Sequence, residues 1–258
     1  MRVAHLSDLH LGLDARSDTA ARELVASLVA EDVDLVLLTG DVTHKGRRAE
    51  LERYREIFAP LESRLVAVPG NHDRLGDDLG DALMPGFRVQ AGQHGSLWVV
   101  RFNSTGPHNR RWLDGHGLLT AADVEDVDRH LRAGPRGLTR VLMMHHHPLP
   151  LPDEHVMEKL VTRLGWPNAR ELSRGPELID RLRFSCDVVL HGHRHVPAEI
   201  VPFAFDEPAM RIYSGGSSTG LRACRILSFG AGSVETRWLA AGAVPVRAPD
   251  EEPVGIAA

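Results

Sequence analysis

The chain alternates short, evenly apolar runs with longer segments in which apolar side chains recur at helical spacing. Runs at 3–6, 33–38, 65–68, 97–102, 141–144 and 188–190 are too short and uniformly apolar for helices, and read as buried strands. Between them, 18–30 carries Leu24, Val25, Leu28 and Val29 on one face, and 47–58 carries Leu51, Tyr54 and Phe58, which predicts two amphipathic helices. Thr120 ahead of Ala121-Ala122-Asp123 has the form of a capping box and predicts a third, with Val124, Val127 and Leu131 as its buried stripe. Strand alternating with helix argues for an α/β layered domain. Beyond Glu199 the pattern changes to closely spaced runs at 200–205, 210–213, 224–229 and 234–239, which predict a meander closing a second sheet. Residues 1–242 read as one domain. The stretch 243–258, with Pro245, Pro249, Pro253 and an acidic Asp250-Glu251-Glu252 cluster, reads as a mobile tail.

Composition narrows the partners. The 258 residues are 43% apolar, enough for a sizeable core. Lys and Arg number 30 against 35 Asp and Glu, so the formal charge of -5 gives no sequence-independent pull toward polyanions and disfavours nucleic acid as a partner. Cys186 and Cys224 sit beside strand-like runs and read as buried free thiols. The opening Met1-Arg2-Val3-Ala4-His5-Leu6 has no signal-peptide core, and no apolar stretch is long enough to span a bilayer, so a cytoplasmic location is the expectation. Fifteen histidines against two tyrosines direct attention to metal binding, because imidazole is the commonest metal ligand.

Polar clusters follow five of the apolar runs, where ligands bind in open α/β sheets. Asp8 and His10 stand two residues apart, and in an extended segment would point to the same side. Gly40-Asp41 lets the backbone turn and offers two carboxylate oxygens. Asn71-His72-Asp73 brings an amide, an imidazole and a carboxylate together; His145-His146-His147-Pro148 follows a buried run; and His193 and His195 alternate after Gly192. Each block alone has a plain structural reading, as a turn cap, a surface histidine or a solvated tract. Together they supply oxygen and nitrogen donors without a thiolate, a set that favours iron, manganese, zinc or cobalt over a structural zinc site. A pair of such ions suits phosphoryl transfer, since it lowers the pKa of water from about 15.7 toward roughly 7 and clamps the phosphoryl oxygens.

In this order the blocks resemble the pattern of the calcineurin-like metallophosphoesterases: D-x-H, G-D, G-N-H-D/E, H-x-P and G-H-x-H. The resemblance implies an α/β fold built as a four-layer α/β/β/α sandwich of two mixed sheets flanked by helices. It implies one metal on Asp8, His10, Asp41 and His195 and another on Asp41, Asn71, His146 and His193, with Asp41 bridging two divalent or trivalent ions, manganese and iron favoured. His146 is selected because it stands two residues before Pro148, which leaves His145 and His147 beside the ligands. His72 corresponds to a non-ligand histidine that contacts the phosphoryl group and protonates the leaving oxygen, with Asp73 orienting its ring. The implied activity is a binuclear metal-dependent phosphoesterase acting on a small-molecule phosphoester.

The G-N-H-D block and the His145-His146-His147-Pro148-Leu149-Pro150 run resemble the class III cyclic nucleotide phosphodiesterases and their glycerophosphodiesterase relatives, which implies a phosphodiester, a 3',5'-cyclic nucleotide among them. Rival readings are a phosphodiesterase or pyrophosphatase acting on a lipid or nucleotide-sugar headgroup, a DNA repair exonuclease, and a non-catalytic scaffold. The acidic chain counts against the exonuclease and the filled ligand positions against the scaffold. Two loops are placed to read the substrate: 104–118, with His108, Arg110, Arg111, Trp112 and His116, and 152–175, with Arg163 and Trp166. His44, His94, His130 and His155 match no block and read as surface or packing residues.

Overall fold

The computed structural model describes residues 1–151, 172–206, 209–230, 233–242 and 254–255. In chain order the strands are β1 (Arg2–Leu6), β2 (Leu35–Thr39), β3 (Leu65–Val68), β4 (Val89–His94), β5 (Leu97–Phe102), β6 (Thr139–Met143), β7 (Val188–His191), β8 (Pro197–Val201), β9 (Arg211–Gly215), β10 (Ala223–Phe229), β11 (Val234–Ala240) and β12 (Val254–Gly255). The helices are α1 (Ala15–Glu31), α2 (Arg48–Phe58), α3 (Gly80–Leu83), α4 (Ala121–Arg132), α5 (Gly175–Leu182) and α6 (Ser218–Leu221). One sheet runs β11-β10-β1-β2-β3 and the other β12-β8-β9-β7-β6-β5-β4.

Alternation along the strands divides the core into three layers. Ala4, Leu6, Val36 and Leu38 face Leu24 and Leu28 of α1 and Leu51 and Phe58 of α2. Their neighbours Val3, Leu35 and Leu37 point the other way and meet Val99, Val141, Met143, Val188 and Leu190 of the second sheet. On that sheet's outer face, Val100, Leu142 and Val189 pack on Val124, Val127 and Leu131 of α4 and on Leu178, Ile179 and Leu182 of α5. Two mixed sheets between helices is the four-layer arrangement that the resemblance implies. Each fully buried Leu or Val contributes roughly 1.5–3 kcal/mol.

The helices begin where their sequences provide caps. Asp14 Oδ1 accepts from Ser17 N at 2.8 Å ahead of α1. Ahead of α4 the predicted box is closed from both sides, Thr120 Oγ1 accepting from Asp123 N at 3.1 Å and Asp123 Oδ2 from Thr120 N at 2.9 Å.

Three features depart from the sequence reading. The late runs do not form one meander: β8 and β9 pair in the second sheet, while β10 lies antiparallel to β1 and carries β11 with it in the first. Short apolar runs specify strands but not which sheet they join. Strand β4 escapes a hydrophobicity reading because Gln90, Gly92 and Gln93 interrupt it, as suits an edge position beside β5. Of the expected tail, Val254–Gly255 pairs in parallel with β8, and the rest lies outside the described residues.

The strands β1, β2 and β3 are parallel, as are β5, β6, β7 and β9, so their C-terminal ends gather at one edge of the sandwich.

Candidate metal centre

The polar blocks leave the strands at that edge and lace together through their backbones. Asp8 N donates to Gly40 O and His10 N to Asp41 O, both at 3.0 Å, and Gly192 N donates to His145 O at 3.0 Å. Asp8, His10, Asp41, His193 and His195 all adopt left-handed backbone, with φ of 52°, 46°, 50°, 78° and 56°. The extended conformation expected of Asp8 and His10 is therefore corrected: the chain curls immediately after β1. Left-handed geometry costs a non-glycine residue roughly 1–2 kcal/mol, and its repetition at one edge marks a place where side-chain direction outweighs local strain. Two glycines permit the close approach. Gly40, at φ 89°, could not carry a Cβ, which would lie 2.5 Å from His145 Nδ1; at Gly192 a Cβ would lie 1.8 Å from Ser7 Oγ and 2.4 Å from Asp8 Oδ2.

Two groups of donors result. In the first, one ligand atom each from Asp8, His10, Asp41 and His195 lie within 4.8 Å of one another. His10 Nε2 is 3.0 Å from His195 Nε2 and 3.8 Å from Asp41 Oδ2, and His195 Nε2 is 3.3 Å from Asp8 Oδ1. In the second, Asn71 Oδ1 lies 3.1 Å from His145 Nε2 and 3.0 Å from His193 Nδ1, while His145 Nε2 is 3.4 Å from Asp41 Oδ2. Asp41 belongs to both, its Oδ1 held by His72 N at 2.8 Å. Metal–ligand bonds of about 2.0–2.2 Å put adjacent donors roughly 3.0–3.5 Å apart, and all of these spacings between side-chain donors except the 3.8 Å between His10 and Asp41 fall in that range.

Electrostatics point the same way. Burial alone would raise the Asp8 carboxyl, but the His195 imidazole beside it brings it down to about 2. Burial likewise opposes ionisation of Asp41, yet His145, His72 and His10 around it hold it well below the usual carboxylate range. His145 is pushed up to about 9: burial disfavours its imidazolium, and Asp41 and Asp8 outweigh burial. Two buried carboxylates that draw a proton onto a fully buried imidazole would equally draw a metal cation.

His145, His146 and His193 each offer a ring nitrogen, and these atoms lie within 4.8 Å of one another, but the other contacts of the triplet differ. His145 is the member whose ring faces Asp41 and Asn71. His146, the expected ligand, has Nδ1 at 2.8 Å from Ser104 Oγ and Nε2 at 3.0 Å from Gly115 O, so both ring nitrogens are engaged by the 104–118 loop. His147 is buried and stacked on His193, with ring centroids 5.7 Å apart. Strand parity explains the split. Val141 and Met143 face the inter-sheet core, and continuing the alternation directs His145 to the same side. Leu142 and Met144 face the helices, and His146, next on that parity, meets Ser104 and Gly115 while its ring stays 4.7 Å from that of His193.

His72 sits at the rim, its ring 4.6 Å from that of His10. Asp73 was expected to orient that ring and does not. Its carboxylate accepts from Thr43 N at 2.8 Å, Thr43 Oγ1 at 2.7 Å and Gly70 N at 2.9 Å, tying the blocks after β2 and β3 together. Burial and the nearby Asp41 charge nevertheless raise it to about 6. The group on the His72 ring is His44 O, which accepts from Nδ1 at 2.7 Å. His44, read as a packing residue, thus supports the site, and its own ring stacks on that of His72 at 5.5 Å.

Other supporting residues carried no recognisable signal. Ser217 Oγ donates to Asp8 O at 2.9 Å and Thr219 Oγ1 to Leu9 O at 2.9 Å, fixing the curl after β1 from a turn more than 200 residues away. Of the two expected substrate loops, 104–118 borders the site, whereas 152–171, with Arg163, Trp166 and His155, lies outside the described residues.

The model of the calcineurin-like phosphoesterase family matches residues 1–197. The chain belongs to that family and is a phosphoester hydrolase. It is 28% identical over 208 residues to a probable cyclic nucleotide phosphodiesterase of a Synechococcus species, covering 76% of this chain and 73% of that one. It is 30% identical over 123 residues to the 3',5'-cyclic adenosine monophosphate phosphodiesterase CpdA of Escherichia coli, covering 46% and 42%. With the glycerophosphodiester phosphodiesterase GpdQ of Enterobacter lignolyticus it shares 25% identity over 221 residues, covering 76% and 71%. Among solved structures, a dimetal phosphatase from Danio rerio superposes with a TM-score of 0.62 at 13% identity, over 94% of this chain and 99% of that one, which shows the common fold. Among the described residues, no helix is long and apolar enough to cross a membrane.

Proposed function

We propose that the chain hydrolyses a phosphodiester, with a 3',5'-cyclic nucleotide as the leading substrate class, using two transition-metal ions. One ion would be held by Asp8, His10, Asp41 and His195, the other by Asp41, Asn71, His145 and His193, with His145 replacing the His146 expected from the sequence. The observation that carries this reading is the position of Asp41 Oδ2, 3.8 Å from His10 Nε2 of one group and 3.4 Å from His145 Nε2 of the other. The donor set suits manganese or iron. Bound there, such ions supply Lewis acidity toward the phosphoryl oxygens and an activated water.

The chain's own residues then do the rest. Asp41 would be shared by both ions, and its Oδ1 accepts from the His72 amide. His72 Nδ1 donates to His44 O, which leaves Nε2 as the atom that hands a proton to the leaving oxygen. His146 and Ser104 hold the neighbouring loop against the site. Asp73 acts as a backbone tie rather than as a partner of the His72 ring. The similarity to cyclic nucleotide phosphodiesterases supports the substrate class, which would go with a cytoplasmic enzyme. A glycerophosphodiester is the second reading, favoured by the similarity to the glycerophosphodiester phosphodiesterase.

The test is hydrolysis by metal-stripped protein reloaded with manganese, iron, zinc or cobalt, with bis(p-nitrophenyl) phosphate, cyclic AMP and glycerophosphoethanolamine in parallel. Metal-dependent turnover of cyclic AMP is expected. Turnover of glycerophosphoethanolamine alone would shift the reading to its second form, and no diester turnover with any metal would defeat it.

A further inference from the structure

The tryptophans among the described residues differ in how they are used. Trp98, on β5, is packed against the core beneath α4, with Nε1 donating to His130 O at 2.8 Å, and Trp238 lies under the guanidinium of Arg225. Trp112 is 57% exposed, and Leu113 beside it is 67% exposed. Its ring stands 5.3 Å from that of His72 and 5.8 Å from that of His44, steeply inclined to both. His72 in turn touches His10, so the indole is one imidazole away from a donor of the first metal group.

The exposed indole is carried on a braced loop. On one side of it, Asn109 Oδ1 accepts from Gly106 N at 2.7 Å and Arg110 Nε donates to Asp78 Oδ2 at 2.8 Å, tying the loop to the segment that follows His72. On the other side, Asn109 Nδ2 donates to His116 O at 3.0 Å and His146 Nε2 donates to Gly115 O at 3.0 Å. A large apolar ring held in water by bonds on both flanks gains nothing from burial in the free protein. What it offers is a preordered flat surface, at little entropic cost to a ligand that covers it.

We propose that Trp112 is a specificity-determining residue that stacks on a planar aromatic group of the substrate, a nucleobase in the first instance, and that His146 is a positioning residue holding this surface in place. The inference rests on the phosphodiesterase reading and deepens it. The group beyond the leaving oxygen protonated by His72 would reach the indole, so an aromatic base there is recognised and a small alkyl chain is not. Stacking on an aromatic side chain is sequence-tolerant, so adenine and guanine substrates are recognised alike.

The test compares wild-type, Trp112→Ala and Trp112→Phe in two measurements. The first is the ratio of kcat/KM for cyclic AMP to that for glycerophosphoethanolamine. It is expected to fall roughly tenfold or more in Trp112→Ala, chiefly through KM, and to recover largely in Trp112→Phe. The second needs no turnover: titration with AMP should quench tryptophan fluorescence in the wild-type, and the quenching should be absent in Trp112→Phe. An unchanged ratio in Trp112→Ala, or quenching that persists in Trp112→Phe, overturns the inference. If the wild-type turned over no diester, the phosphodiesterase reading would fall, while AMP quenching dependent on Trp112 would still support the aromatic surface.

Discussion

The two ends of the same strands are built by opposite rules. At the N-terminal ends of β6, β7 and β9 lies a cavity of about 500 Å³ lined by Thr139, Arg140, Asp187 and Arg211 among others. Its charges are settled: Asp187 Oδ2 accepts from Arg140 N at 2.7 Å, Arg140 Nε donates to Leu131 O at 3.1 Å, and Arg211 pairs with Glu199. Its non-glycine lining residues take ordinary backbone conformations. At the C-terminal ends, carboxylates and imidazoles crowd together; five of them sit in left-handed backbone, and Asp8, His10 and Asp41 among these are buried. Space without strain marks one end, and strain around converging donors marks the other. The second pattern, rather than cavity size, locates chemistry.

Substitutions at the two ends should therefore differ in kind. The largest effect is expected for Asp41→Ala, which removes the residue shared by both donor groups: diester turnover should fall to background while the thermal unfolding transition persists. Next comes His72→Ala, expected to lower kcat by roughly 10²–10⁴ with metal content retained, read by steady-state kinetics beside elemental analysis. Turnover at the wild-type rate would remove His72 from the proton-transfer role.

Under the proposed assignment, substitutions in the histidine triplet separate ligand from support. His145→Ala should weaken metal binding, read by competition with a chelating dye. His146→Ala should retain the metals and instead loosen the 104–118 loop, read as faster amide hydrogen exchange around Gly115. Loss of metal in His146→Ala but not in His145→Ala would restore the assignment made from the spacing to Pro148. The smallest effect belongs to the other end. Asp187→Asn should cost roughly 1–2 kcal/mol of stability by weakening its bond to the Arg140 amide, with turnover unchanged.

How far the sequence could be read depended on the range of the interaction concerned. Helices α1, α2 and α4 were legible because caps and apolar stripes are local, and Thr120 with Asp123 is a box closed within four residues. The chemical blocks were legible because donors two or three residues apart are constrained by the chain itself. Spacing to Pro148 does not record which way each member of the His145-His146-His147 run points, since that depends on which face of β6 the chain leaves from. The alternation of Val141 and Met143 against Leu142 and Met144 carries that information for the strand itself. The partner of the His72 ring was hidden for a different reason: it is the backbone oxygen of His44, and a carbonyl leaves no mark in a sequence. The split of the last strands between two sheets depends on long-range pairing of β10 with β1, which no local pattern records.

The most direct measurement is the number of transition-metal ions retained per chain after stripping, reloading with manganese or iron and desalting, for the wild-type and for Asp41→Ala. Two ions per wild-type chain, both lost or severely weakened when Asp41 is replaced, is the expected result. A wild-type chain that retains none, or an Asp41→Ala chain that retains both, would contradict a binuclear centre bridged by Asp41.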